Sequence, residues 1–69
     1  MSGINLVKGY RVACNITQEE MAKELEMSEP TYRALENNID RFTVEQINKF
    51  VQVINRIHPE VKAEDIFFK

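Results

Sequence analysis

The chain has 69 residues, enough for one small domain with a single core and modest stability. Its nine Lys and Arg against eleven Asp and Glu leave a formal charge of −2, which argues mildly against a free-standing nucleic-acid binder, although a local patch matters more than the sum. One cysteine (Cys14) and one histidine (His58) allow no internal disulfide and no Cys/His metal set, no apolar run approaches membrane-spanning length, and Leu6 and Val7 give way to Lys8 and Arg11 too soon for a signal peptide.

No stretch alternates like a strand, and helical periodicity runs through the chain. A first helix is predicted from about Ile4 to Cys14, with Leu6, Val7, Tyr10, Ala13 and Cys14 on one apolar stripe and Gly9 weakening it slightly. Asn15 suits a left-handed closing position. The second helix opens with Thr17-Gln18-Glu19-Glu20, a capping box flanked by Ile16 and Met21 as a hydrophobic staple. Met21, Ala22 and Leu25 face inward, and the helix ends near Glu26. The third starts at once: Ser28 caps it, Glu29 suits the positive end of the dipole, and Pro30 is tolerated in the first turn. Tyr32 and Leu35 pack, Ala34 lies on another face, and Asn37-Asn38 can end the helix. Thr43-Val44-Glu45-Gln46 is a second capping box, with Phe42 and Ile47 as its staple. Val44, Ile47, Phe50, Val51, Ile54 and Ile57 then form a long stripe that Pro59 stops. A short fifth helix, about Lys62 to Phe67, presents Ile66 and Phe67 to the core. The sum is a compact all-α domain of five helices.

Two short helices around a tight turn, Thr17 to Asn37, have the helix-turn-helix outline. TQEEMAKEL, then MS, then TYRALEN resembles the Cro-type (lambda-repressor-like, XRE) helix-turn-helix. The resemblance runs from about Leu6 to Phe67 and includes the closing EDIFF segment. It implies that Arg11 of the first helix pairs with Glu36 late in the third. If buried, that pair fixes the angle between two helices, and losing one partner costs roughly 3–5 kcal/mol; if solvated, it is worth under about 1 kcal/mol. The resemblance also places Gln18, Asn37, Asn38 and Arg41 at positions that contact DNA phosphates, and Glu29, Pro30, Thr31, Arg33 and Ala34 at positions that read bases. Ordinary capping and solvated surface are the plainer uses of the same residues. Glu29 suits a cytosine amino group, Arg33 a guanine or phosphate, and Pro30, Ala34 and the Thr31 methyl suit thymine methyls.

Two departures from the family pattern stand out. Glu26 holds the turn position where the family usually has glycine, and a side chain at positive φ there costs of order 1 kcal/mol. From Thr17 to Asn38 two cations, Lys23 and Arg33, face six acids, Glu19, Glu20, Glu24, Glu26, Glu29 and Glu36. Most of these are expected to form a solvated helix face, with Glu36 internal, Glu20 in its cap, and Glu29 the one acid facing a groove.

No glycine-rich phosphate loop or nucleophile–base set supports catalysis, and no cofactor is implied; His58 fits a helix end and Cys14 a core position. The leading expectation is a cytoplasmic DNA-binding transcriptional regulator of bacterial or phage type, a repressor that binds a double-stranded, palindromic operator as a homodimer. By analogy with relatives the dimer surface is the end of the fourth helix, the loop after it and the C-terminus, with Ile57 and Phe68 as candidates. The competing expectation is a protein-binding module, such as an antirepressor that docks on another regulator and has lost much DNA affinity. No membrane association is expected.

Overall fold

A computed structural model describes residues 5–68. They form five α-helices, α1 (Leu6–Ala13), α2 (Gln18–Glu24), α3 (Glu29–Asn37), α4 (Val44–Asn55) and α5 (Ala63–Phe67), with a 3-10 turn at Ile39–Arg41 between α3 and α4. No strand occurs among the described residues.

The helix starts follow side-chain chemistry. Asn5 accepts a hydrogen bond from the Lys8 N–H at 3.0 Å, so α1 begins at Leu6; the expected start at Ile4 lies outside the described residues. Thr17 and Glu20 exchange both bonds of a capping box, at 3.0 and 2.8 Å, and Thr43 and Gln46 do the same at 3.1 and 2.9 Å. Ser28 accepts from the Thr31 N–H at 3.3 Å. Pro30, in the first turn of α3, sits where its missing N–H has no helical role. At α5 the Asp65 carboxylate accepts from the Lys62 N–H.

Both early helices close in the same way. Asn15 and Glu26 adopt left-handed backbone, φ 60° and 62°. After α1 the N–H groups of Asn15 and Ile16 return to the carbonyls of Val12 and Arg11. After α2 those of Glu26 and Met27 return to Lys23 and Ala22. Each is a Schellman closure, with a non-glycine residue in the position that glycine fills without strain.

The core is built from Val7, Met21, Tyr32, Phe50 and Ile54, all fully buried, with Ala22, Leu25, Val53 and Ile66 around them. Phe42, Phe50 and Phe67 meet edge to face, ring centroids 5.0 to 6.2 Å apart, which fastens α5 beneath the start of α4. Short ion pairs add ties between α2 and α4: Arg56 grips Glu24 through two bonds of 2.9 Å, and Lys49 reaches Glu26.

The fourth helix differs from its expected stripe. Val44 is 74% exposed because it lies roughly 100° or more around the helix from the meridian of Phe50, Val53 and Ile54, and Val53 joins the core in its stead. The helix also stops at Asn55, before Pro59. The Asn55 amide donates to the carbonyls of both His58 and Val61, drawing the chain back across the helix end. Ile57 therefore lies beyond the helix, 51% exposed, rather than on its inner stripe. The 3-10 turn is also absent from the sequence reading.

Candidate nucleic-acid interface

The relation of α3 to the rest of the domain is set by one polar cluster inside the core. Glu36 is 2% and Arg11 7% exposed. Arg11 Nε donates to Glu36 Oε2 at 2.7 Å and its Nη2 to Oε1 at 3.2 Å, a two-pronged pair between α1 and α3. Arg11 Nη1 donates to the Ile16 carbonyl at 2.7 Å. Tyr32 Oη donates to Glu36 Oε2 at 2.6 Å and Gln18 Nε2 to Oε1 at 2.9 Å. Both Glu36 oxygens thus accept two bonds each, and no buried side-chain polar atom among the described residues lacks a partner.

This arrangement decides protonation. Burial pushes the Glu36 carboxyl up, but the hydrogen bonds from Arg11, Tyr32 and Gln18 and the charge of Arg11 outweigh it, and the carboxyl titrates below its ordinary value. The bond to Glu36 holds the Arg11 guanidinium above its ordinary value against the opposing effect of burial. Burial, then the bond to Glu36, moves the Tyr32 phenol far up. Burial alone raises the Cys14 thiol, whose place is that of a small core residue.

With α3 so fixed, its outer face divides in two. The flank toward α2 carries Glu29 and Arg33, paired at 2.6 Å one turn apart. Arg33 Nε also donates to Gln18 Oε1 at 3.3 Å. The buried carboxylate, Gln18, Arg33 and Glu29 thereby form one continuous chain of hydrogen bonds from core to surface. The other flank opens into a concavity of about 550 Å³, lined by Pro30, Thr31, Ala34, Leu35, Asn38 and Arg41. The 3-10 turn carries Arg41 to this rim, and Asn38, at the end of α3, lines it too. Apolar groups floor the hollow, and one cation and one amide edge it. Asn37 is exposed on α3 beside it.

The six acids of this region are largely occupied. Glu36 is internal, Glu20 is in its capping box, Glu24 is held by Arg56, Glu26 by Lys49 and Glu29 by Arg33. The hydrogen bond from Arg56 is the main reason that Glu24 titrates below its ordinary value. Glu29 was expected to face the groove alone; it carries its own counter-charge. Gln18, expected to offer its amide to a phosphate, already gives one amide hydrogen to Glu36 and its carbonyl to Arg33. Nothing in the sequence pointed to that link, because it joins residues fifteen apart.

Among the described residues no His, Cys, Asp and Glu cluster has the makings of a metal site, and no helix is long and apolar enough to cross a membrane.

Two short helices joined by a left-handed turn, the second laid outward on a core that fixes its angle, define a helix-turn-helix protein. The chain belongs to the helix-turn-helix family, of the Cro/XRE type, whose model matches residues 7–61. No curated protein and no solved structure gives a match. The family is one of DNA-binding regulatory domains, which makes this chain a DNA-binding transcriptional regulator by class.

Proposed function

We propose that the protein is a repressor that occupies a palindromic operator as a homodimer, with α3 in the major groove. The observation that carries this reading is the composite outer face of α3. Its hollow offers apolar contact from Pro30, Ala34 and the Thr31 methyl, suited to thymine methyls. Arg41 and Asn38 on the rim, with Asn37 beside them, suit the flanking phosphates. Arg33 and Glu29 on the other flank suit polar base edges. Gln18 joins the phosphate-facing set through its remaining amide hydrogen and the N-terminus of α2.

Support for a dimer comes from size and surface. One module of this kind buries too little surface for tight specific binding. Phe68 is 69% exposed, and Ile57 lies bare after α4; both suit an interface between copies.

The competing reading, a protein-docking module, rests on an acidic face of the third helix. On that helix Glu36 is buried against Arg11 and Glu29 is paired with Arg33, which removes most of that motive. Fluorescence anisotropy against DNA upstream of its own gene, over a salt series, tests the proposal. Saturable binding that weakens with salt is expected, and sizing by light scattering is expected to give a dimer that Phe68→Ser and Ile57→Ser convert to monomer. No saturable binding at low salt would favour the protein-docking alternative.

A further inference from the structure

The link from Gln18 to Arg33 carries a more specific statement about what α3 reads. Glu36 is ionised and only accepts hydrogen bonds, so the Gln18 atom that faces it is the amide nitrogen. The Gln18 carbonyl oxygen is then turned toward Arg33, which only donates. The buried ion pair therefore sets the polarity of an amide at the surface. Glu29 fixes a second point of the same guanidinium at 2.6 Å. An exposed arginine ordinarily has many rotamers to lose on binding; this one is held through Nε and Nη2. Of its five N–H groups, the three left over lie on Nη1 and Nη2, and Nη1 has no protein partner among the described residues.

We propose that Gln18 and Glu29 are positioning residues that hold Arg33 as a preset fork for the O6 and N7 of a guanine in the major groove, one in each half-site. This rests on the DNA-binding reading above. A phosphate is the poorer target for Arg33, because Glu29 cancels the attraction of the guanidinium for an anion and itself repels one. A guanine edge is neutral, and what recognises it is the direction of paired N–H groups rather than net charge. Glu29 thus weakens attraction to DNA in general and sharpens the choice among sequences. Gln18 acts through Arg33 in the same way, and its state depends on Arg11 and Glu36.

The test starts with duplexes enriched by the intact protein from a random-sequence pool, followed by anisotropy titrations in which single guanines are replaced by 7-deazaguanine, which lacks the N7 acceptor. One guanine per half-site is expected at which the replacement weakens wild-type binding by about five- to 150-fold, and at which Arg33→Ala becomes insensitive to the replacement. Glu29→Gln and Gln18→Ala are each expected to shrink that ratio several-fold, whatever they do to affinity for the 7-deaza duplex. A merely structural role would instead weaken both duplexes alike and leave the ratio unchanged. Thermal melts establish that the variants are folded; should Gln18→Ala not fold, Glu29→Gln decides. An enriched sequence with no guanine that depends on Arg33, or full discrimination retained in the folded positioning variants, would overturn the inference and leave the DNA-binding reading standing. Failure to enrich any sequence would overturn both.

Discussion

Glu36→Gln is the smallest change that tests how the domain is held together. It keeps the shape of the side chain and removes the charge. Glu36 receives donors at both oxygens: Arg11 Nε and Tyr32 Oη at one, Arg11 Nη2 and Gln18 Nε2 at the other. A glutamine amide must turn its NH₂ toward one of these pairs. Either way an Arg11 N–H meets another donor, although the Tyr32 hydroxyl can reverse and accept. The variant also strands a buried guanidinium, a change that costs roughly 3–5 kcal/mol. At about 0.05–0.15 kcal/mol per residue, a chain of 69 residues has about 3.5–10 kcal/mol in total. At least about a third of the stability, and at the low end all of it, is therefore at stake. Urea titration at neutral pH, followed by far-UV circular dichroism, is the assay. With m of about 1 kcal/mol/M, the midpoint is expected to fall by roughly 3 M or more, or the variant to be unfolded without urea. The double variant Arg11→Met/Glu36→Leu is expected to be less damaged than either single change, since it strands no charge. A loss below about 1 kcal/mol for Glu36→Gln would mean that the pair is effectively solvated, and the reasoning would fail.

Other consequences follow from the same geometry. Because the folded state holds the Glu36 carboxyl below its ordinary value, the stabilisation is complete above the unfolded value near 4.3 and is lost as pH falls through the folded one; circular dichroism is expected to show progressive loss of stability below about pH 4, and constant stability down to pH 2 would contradict this. Gly9 lies inside α1 with open space where a Cβ would stand, so Gly9→Ala is expected to stabilise the fold by about 0.5–1 kcal/mol in urea titration, and any loss would show a constraint the structure does not display. Glu26→Gly relieves a left-handed residue at φ 62° and gives up an exposed pair with Lys49; a net gain of up to about 1 kcal/mol is expected, and a loss of similar size would show that the turn relies on the ion pair. On DNA, Arg41→Ala is expected to lower affinity equally for all sequences and to reduce the slope of log K against log salt by about 1 per protomer; sequence-dependent loss would move Arg41 from phosphate to base contact.

Much of the fold was readable because α2, α3 and α4 announce their starts locally. Thr17 and Thr43 with their partners three residues on, Ser28 before Glu29-Pro30, and Asn15 after the first stripe are signals within a single turn, and the structure uses all of them. What escaped was non-local or depended on the end of an element. The end of α4 is decided by the Asn55 amide reaching His58 and Val61, not by Pro59, and so Ile57 changed sides. The 3-10 turn has no periodic signature at three residues, yet it places Arg41 at the rim of the hollow. Arg11 and Glu36 came from family resemblance, and no periodicity would have joined them. The bond from Gln18 to Arg33 was out of reach for a further reason: it exists only once Glu36 has fixed which way the Gln18 amide points.

The same contacts resolve the discord between an acidic chain and a polyanionic ligand. Net charge describes a protein at distances where its charges blur together, and salt screens that field within about 10 Å at 0.1 M. At contact, what counts is which charges remain unanswered. Glu24 leans toward Arg56, just past the end of α4, and Glu26 toward Lys49 on α4. Glu36 is consumed inside the core and Glu20 at a helix start. Arg41 then stands at the hollow with no partner of its own among the described residues, while Arg33 is matched by Glu29. Under the proposed reading, such a surface draws DNA weakly from afar and discriminates at close range. The expected mark of such a reader is a shallow salt dependence, a log–log slope of about −2 to −4 for a dimer, together with strong sensitivity to single base changes. A steep slope with little sequence preference would mean that cations outside this face carry the binding, and that the outer face of α3 is not where the sequence is read.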